Sequence, residues 1–324
     1  MTLILSQASR CFALQVTDRL VTANGKPFDS ISNKNLLYFA PDAVVSIGYT
    51  GAAYIDGTPT DWWLAEALTG IHYNDRNKPP SMQTGRVPRW LRIGPAIEFL
   101  SKELAAAFAR PTMKRDARNM MFELVFTGWQ WARRKRSRPI MIGVCKERSQ
   151  PDLQVWRAPR HFGRQFYFSG TPENNLKTID IDAMRGRLRS IGSIEFDKAE
   201  TILVDTVRLV AESTRSGSKS YVGKDCMSIL MLPPEFAQVR VRYLSAKIAQ
   251  LAIVPKSSPQ DASVLPAAFT PWVIGSDMVL SPSVISGAFT ASLNGFQVEL
   301  EAPEPIGSGF QGAMGGVQRP QEPR

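Results

Sequence analysis

Leu3 and Leu5 alternate with polar neighbours, and Cys11-Phe-Ala-Leu-Gln-Val-Thr17 is rich in strand formers, so residues 3 to 22 read as two β-strands. Asn24-Gly25-Lys26-Pro27 is a strong turn signal. Asn35 to Ala40 and Ala43 to Thr50 are two further apolar runs joined by Pro41-Asp42, which predicts a hairpin. An antiparallel sheet therefore opens the chain. Helical spacing follows: Thr60-Asp61 can cap a helix through Trp62, Leu64, Ala65 and Leu68 that stops before Gly70. Pro95 suits the first helical position of a second helix, Ala96 to Ala109, with Pro111 beyond its end. Strands return at Met120 to Trp131, Pro139 to Cys145 and Leu153 to Trp156, and another precedes Ser169-Gly170. Between Phe196 and Glu212, Ala199, Ile202, Leu203, Thr206, Val207 and Val210 share one helical face. Strands at Cys226 to Leu232 and Val239 to Leu244 come after it. This order predicts an α+β fold in which helices cover antiparallel sheets.

Past residue 250 the pattern changes. Residues 255 to 266 are rich in Pro and Ser and read as a linker, and short β-like runs follow at Trp272 to Ile274, Met278 to Leu280 and Phe296 to Leu300. Residues 301 to 324 carry few large apolar groups and are expected to be a disordered tail. The expected organisation is thus a domain over 1–250, a linker with a small β-like extension over 251–300, and a tail over 301–324.

The 324 residues are 44% hydrophobic and carry a net charge of +10. Residues 81 to 165 hold 18 basic and 6 acidic side chains, whereas the remainder holds 21 and 23. The basicity belongs to one middle stretch, and within it Arg133, Arg134, Lys135 and Arg136 form a run between two predicted strands. That run is either a solvated hairpin tip or a patch that docks an acidic partner, phosphate or nucleic acid. No nucleic-acid-binding motif accompanies it. Cys11, Cys145 and Cys226 are odd in number and widely spaced, which argues against a disulfide framework. His72 and His161 are the only histidines, so a zinc site or a histidine-based catalytic pair lacks promising ligands. The N-terminal apolar run is too short for a signal peptide, and no stretch approaches the ~20 apolar residues of a spanning helix. A cytoplasmic protein with no membrane association, metal or cofactor is expected.

An N-terminal threonine carries its own base, because its α-amine can accept the hydroxyl proton. Removal of Met1 would place Thr2 in that position. Thr2, Thr17-Asp18-Arg19, Asn33-Lys34-Asn35 and Gly48-Tyr-Thr-Gly51-Ala52-Ala53 together resemble the opening of a proteasome β subunit, and equally that of the bacterial proteasome-homologous protease subunit. Both are N-terminal-nucleophile (Ntn) hydrolases. The Thr, Asp and Lys spacings match without a gap, and the likeness extends to about residue 245. The resemblance implies an αββα sandwich and a threonine peptidase or amidohydrolase acting on a peptide or protein. It also implies self-assembly into a homo-oligomer of rings.

Carried over position by position, Thr2 is nucleophile and general base, and Lys34 depresses the pKa of its amine. Asp18 keeps Lys34 charged, and the Gly51 N–H donates to the oxyanion. Ser169 resembles the strand-end serine that bonds the amine, and Ser220 stands where the family has a further serine. Ala52 departs from the family's second glycine. The competing expectation is a catalytically inactive, proteasome-like assembly protein that docks an acidic partner or nucleic acid through the basic hairpin. In residue terms, Asp18-Arg19 could serve a local salt bridge, and Gly48 and Gly51 a tight connection.

Overall fold

The computed structural model describes residues 2–23, 26–29, 32–72, 82–111, 113, 120–131, 137–148, 150, 152–158, 165–169, 181–192, 195–213, 222–244, 250–252, 264–266, 268–285 and 287–301. The basic run at 133–136, Ser220, His161, most of the expected linker and the expected tail lie outside them.

Two sheets stack face to face. The first runs in the order Gln165–Ser169, Ile4–Ala8, Ala13–Asp18, Cys226–Met231, Gln238–Leu244, Phe296–Glu301, Ala288–Leu293. The second runs Leu153–Arg157, Ser137–Lys146, Phe122–Trp131, Ala43–Thr50, Asn35–Ala40, Trp272–Ile274, Met278–Leu280, Met82–Thr84. Neighbours are antiparallel except at two joints. Gln238–Leu244 runs parallel to Phe296–Glu301, and Asn35–Ala40 parallel to Trp272–Ile274. Strands from beyond residue 268 therefore extend both sheets.

Side-chain alternation sorts these strands into layers. Leu3, Leu5, Leu14 and Val16 face helices Ile181–Ser190 and Phe196–Ser213, through Met184, Leu188, Leu203, Val207 and Val210. Leu36, Tyr38, Phe122, Leu124 and Phe126 face helices Thr60–Thr69 and Ile93–Ala109. Leu37, Phe39, Val44, Trp129, Met227, Ile229 and Val241 fill the space between the sheets. The result is a four-layered αββα sandwich: the element order predicts helices covering antiparallel sheets, and the resemblance implies the four layers.

Local details refine the sequence reading. The first helix does stop at Gly70, which takes the left-handed conformation and donates its N–H to the Glu66 carbonyl at 2.8 Å. Its start is tied differently from a cap. The helix begins at Thr60 itself, and the Thr60 hydroxyl donates to the Ala52 carbonyl at 2.8 Å, anchoring the helix to the loop that follows Gly51. The second helix begins at Ile93, so Pro95 is its third residue, and Asp42 accepts the Ile93 N–H at 2.8 Å. A helix absent from the sequence reading, Ile181–Ser190, packs Met184 and Leu188 beside Phe196–Ser213.

The middle layer changes character along its length. Around Trp129 it is apolar, with the indole N–H donating across to the Met231 carbonyl at 3.1 Å. Further along, the Gln15 amide donates to Ser6 Oγ at 3.0 Å, the Val125 carbonyl at 3.1 Å and Thr127 Oγ1 at 3.1 Å, and its carbonyl accepts from Ser46 Oγ at 2.7 Å. That network couples the sheets by hydrogen bonds that a purely apolar core could not direct.

Gly128 shows how close the strands lie: a Cβ there would stand 2.1 Å from the Val44 carbonyl oxygen, whereas one at Gly186, within a helix, would meet nothing within 4 Å. Gly128→Ala should therefore lower stability by about 1–3 kcal/mol. Gly186→Ala should raise it by up to about 1 kcal/mol, since alanine holds a helix better than glycine. Urea unfolding of both variants checks the opposite signs.

Candidate active site

Asp18 ends the second strand of the chain, and Lys34 immediately precedes the Asn35–Ala40 strand. Both side chains are buried, and Lys34 Nζ lies 3.0 Å from Asp18 Oδ2. Lys34 Nζ also donates to the Leu20 carbonyl. Asp18 is the hub. Its Oδ1 accepts the Leu3 N–H at 2.7 Å, and its Oδ2 accepts the Leu20 N–H at 3.1 Å and the Gly223 N–H at 3.0 Å. A buried carboxylate that meets this many donors plus an ammonium has its hydrogen-bonding capacity filled from the surrounding chain. The chain's N-terminal stretch, the end of its second strand and the loop before Cys226 are thereby tied to one group.

Thr2 is buried, and two links hold it in place. One link is through Leu3, whose N–H reaches Asp18. The other is the Thr50 hydroxyl, which donates to the Thr2 carbonyl at 3.3 Å. Gly51 follows at once with φ of +104°, and a Cβ there would sit 2.2 Å from the Met121 carbonyl oxygen. Glycine is thus required at this position for both conformation and space. The structure brings together Thr2, Asp18, Lys34 and the Thr50-Gly51 corner.

Ser169 closes the far side. It pairs with Ile4 across the strands, and its hydroxyl donates to Glu123 Oε2. In the sequence Glu123 is one polar residue in an alternating strand. Here it is buried between the sheets and accepts at Oε1 from the Tyr167 hydroxyl at 2.6 Å and the Trp156 indole at 3.1 Å. Trp156 reaches it over Gly143, where a Cβ would stand 2.0 Å from the indole nitrogen. The Trp156 and Tyr167 rings are 4.2 Å apart. Burial, and then the Glu123 charge, push the Tyr167 hydroxyl pKa up. The Cys145 thiol, opposite Glu123 in the ladder, is pushed up to about 11 by burial and by Glu123 and Glu147, with Lys146 opposing.

Cys11, Cys145 and Cys226 are free thiols. His72 is highly exposed, 3.6 Å from Glu66. Among the described residues no group of His, Cys, Asp and Glu could hold a metal ion, and no helix is long and apolar enough to cross a membrane. Several basic residues of the middle stretch have local partners. Arg110 pairs with Asp56 at 2.9 Å, and Arg89 donates to the Ala67 carbonyl at 2.6 Å and covers the Phe99 ring.

The fold and site thus define an αββα sandwich with a buried lysine–aspartate pair beside the second residue of the chain. Solved structures similar to it include two of Anbu from Hyphomicrobium sp. strain MC1. One, a Gly-1 mutant, is 16% identical and matches over 76% of this chain and 88% of that one, with a TM-score of 0.46. The other is 14% identical over the same shares, with a TM-score of 0.47. No protein-family profile matches the chain, and neither does any curated protein.

Two measurements probe this geometry. Asp18→Ala leaves Lys34 buried without its anion and should cost about 3–5 kcal/mol in urea unfolding, more than the apolar replacement Lys34→Met. Alkylation of Cys145 should be slow at neutral pH and rise as pH approaches about 11, followed by mass spectrometry of the modified peptide.

Proposed function

We propose that this protein is a threonine-type Ntn hydrolase that cleaves amide or peptide bonds with Thr2 as nucleophile, exposed by removal of Met1. The observation that carries the reading is the burial of Thr2 beside the Lys34–Asp18 pair, with Gly51 at the adjoining corner. A threonine with no chemistry to perform has no need of a buried ion pair at its side, since burying two charges is costly.

The steps follow from the groups present. The Thr2 α-amine accepts the proton of the Thr2 hydroxyl as Oγ1 bonds to the substrate's carbonyl carbon. The carbonyl π electrons move onto oxygen, and the Gly51 N–H donates to that oxyanion. The new ammonium returns its proton to the departing amine nitrogen as the C–N bond breaks, leaving an ester on Thr2. Water then attacks the ester, giving a proton to the same amine, and the carboxylic acid leaves as Oγ1 is reprotonated. An α-amine titrates near ~7.7–8.0, and the Lys34 ammonium draws it lower, so that the free base is present at neutral pH. Asp18 holds Lys34 in its charged form and in place. A positioned base of this kind contributes roughly 10²–10⁴-fold.

The substrate class is a peptide or protein, and the reading includes homo-oligomeric assembly that shelters the site. Intact-mass measurement should show loss of Met1, and a peptide epoxyketone, which needs both the hydroxyl and the free amine, should label Thr2. Thr2→Ala should abolish labelling and peptide hydrolysis, and Lys34→Ala should slow hydrolysis by roughly 100-fold or more. Complete retention of Met1 would remove the amine base and with it the proposal.

A further inference from the structure

Glu123 is the feature that the Thr2, Asp18 and Lys34 chemistry leaves unexplained. Its carboxylate is almost fully buried between the two sheets. Its described partners are the neutral donors Tyr167, Trp156 and Ser169, and no lysine, arginine or histidine among the described residues pairs with it. The nearest basic residue along the adjoining strand, Lys146, is directed to the opposite face, where it lies over the Phe108 ring at 5.4 Å. A carboxylate removed from water with no cation beside it is among the costliest groups a core can hold.

Register places this carboxylate next to the start of the chain from two sides. Glu123 pairs with Thr50, whose hydroxyl donates to the Thr2 carbonyl. Ser169, which donates to Glu123 Oε2, pairs with Ile4, two residues from Thr2. Alternation puts Ile4, Ser6, Ser169, Tyr167, Thr50 and Glu123 on faces directed into the space between the sheets, because Leu3, Leu5, Tyr49, Phe122 and Leu124 face the helices. Oε1 already takes two donors, while Oε2 takes one, so Oε2 has acceptor capacity left.

We infer that Glu123 is the counter-ion of the Thr2 α-ammonium, a positioning residue that holds the new N-terminus, directly or through the Ser169 hydroxyl, with the amine turned toward the Thr2 side chain. The inference rests on the Thr2 reading, because the ammonium exists only once Met1 is gone. It assigns the two buried charges opposite tasks. Lys34 favours the free amine and Glu123 the protonated one, so their balance sets the pH at which the base is available. The titratable and charged groups around the amine are Lys34 and Asp18 on one side, and Glu123, Tyr167 and Cys145 on the other.

Glu123→Gln keeps an acceptor for Ser169 and removes the charge. In the variant the amine loses the group that stabilises its charged form, so its pKa falls. The acid limb of Thr2 labelling by the epoxyketone, followed by intact mass across pH, should move about one pH unit lower than in the wild type. Glu123→Asp, which retains a carboxylate, should restore most of the shift. A limb that does not move in Glu123→Gln overturns the inference while leaving Thr2 as nucleophile. A crystal structure of the Met1-processed wild type provides a readout that needs no folded variant. The Thr2 nitrogen should lie within ~4–6 Å of Glu123 Oε2, and a nitrogen turned away beyond that range overturns the assignment. A processed but unlabelled wild type would overturn the hydrolase reading, with the nitrogen's position still deciding the role of Glu123. Retention of Met1 would overturn both.

Discussion

The carboxylate of Asp18 gathers groups from four other parts of the chain. Through it the chain's second strand, the backbone of Leu3, the turn at Leu20, the loop at Gly223 and the ammonium of Lys34 meet at one point. Each contact comes from a different part of the sequence, separated by as many as 205 positions. A buried ion pair is a poor source of net stability, since desolvation consumes most of the attraction. Its value here is geometric: only one arrangement of these segments satisfies every donor at once, and that arrangement sets where residue 2 must lie.

The sandwich supports this point by grading its middle layer. At one end the sheets meet through Phe39, Trp129, Ile229 and Val241, which exclude water. In the middle, Gln15 bridges both sheets by hydrogen bonds to Ser6, Thr127 and Ser46. Nearer the start of the chain Glu123 is buried between the sheets, and Asp18 and Lys34 are buried as a pair at the end of one strand and the start of another. Dispersion and apolar burial thus hold the sheets together where no chemistry is needed, and directional bonds take over as the site is approached. The low dielectric that makes these charges costly also lets each act strongly on its neighbours.

Much of this was legible in the sequence because the relevant signals are local. The strands over the first fifty residues show alternation bounded by turn residues, the helix ending at Gly70 carries its own stop, and Phe196–Ser213 displays a full apolar stripe. The resemblance singled out Asp18 and Lys34, whose side chains the fold pairs. What stayed hidden depends on the third dimension. Ile181–Ser190 interrupts its apolar positions, Met184 and Leu188, with arginines and a glycine, so its helicity owes more to packing than to propensity. Glu123 reads as a solvent-facing residue because alternation reports which face a side chain occupies, not whether that face meets water or a second sheet. In a two-sheet core, polar residues such as Gln15, Ser46 and Glu123 imitate a surface. The start of the Ile93–Ala109 helix was set by Asp42, fifty-one positions earlier.

The strands from Trp272 onward join one sheet beside Asn35–Ala40 and the other beside Gln238–Leu244. During synthesis, the partner of a strand made near the beginning emerges on the order of tens of seconds after it at typical elongation rates. The second sheet therefore reaches its full width only after residue 280 has emerged, and the first only after residue 301. The early sheet edges wait exposed in the interval, which makes the nascent chain a natural client for chaperones that shield unpaired strands.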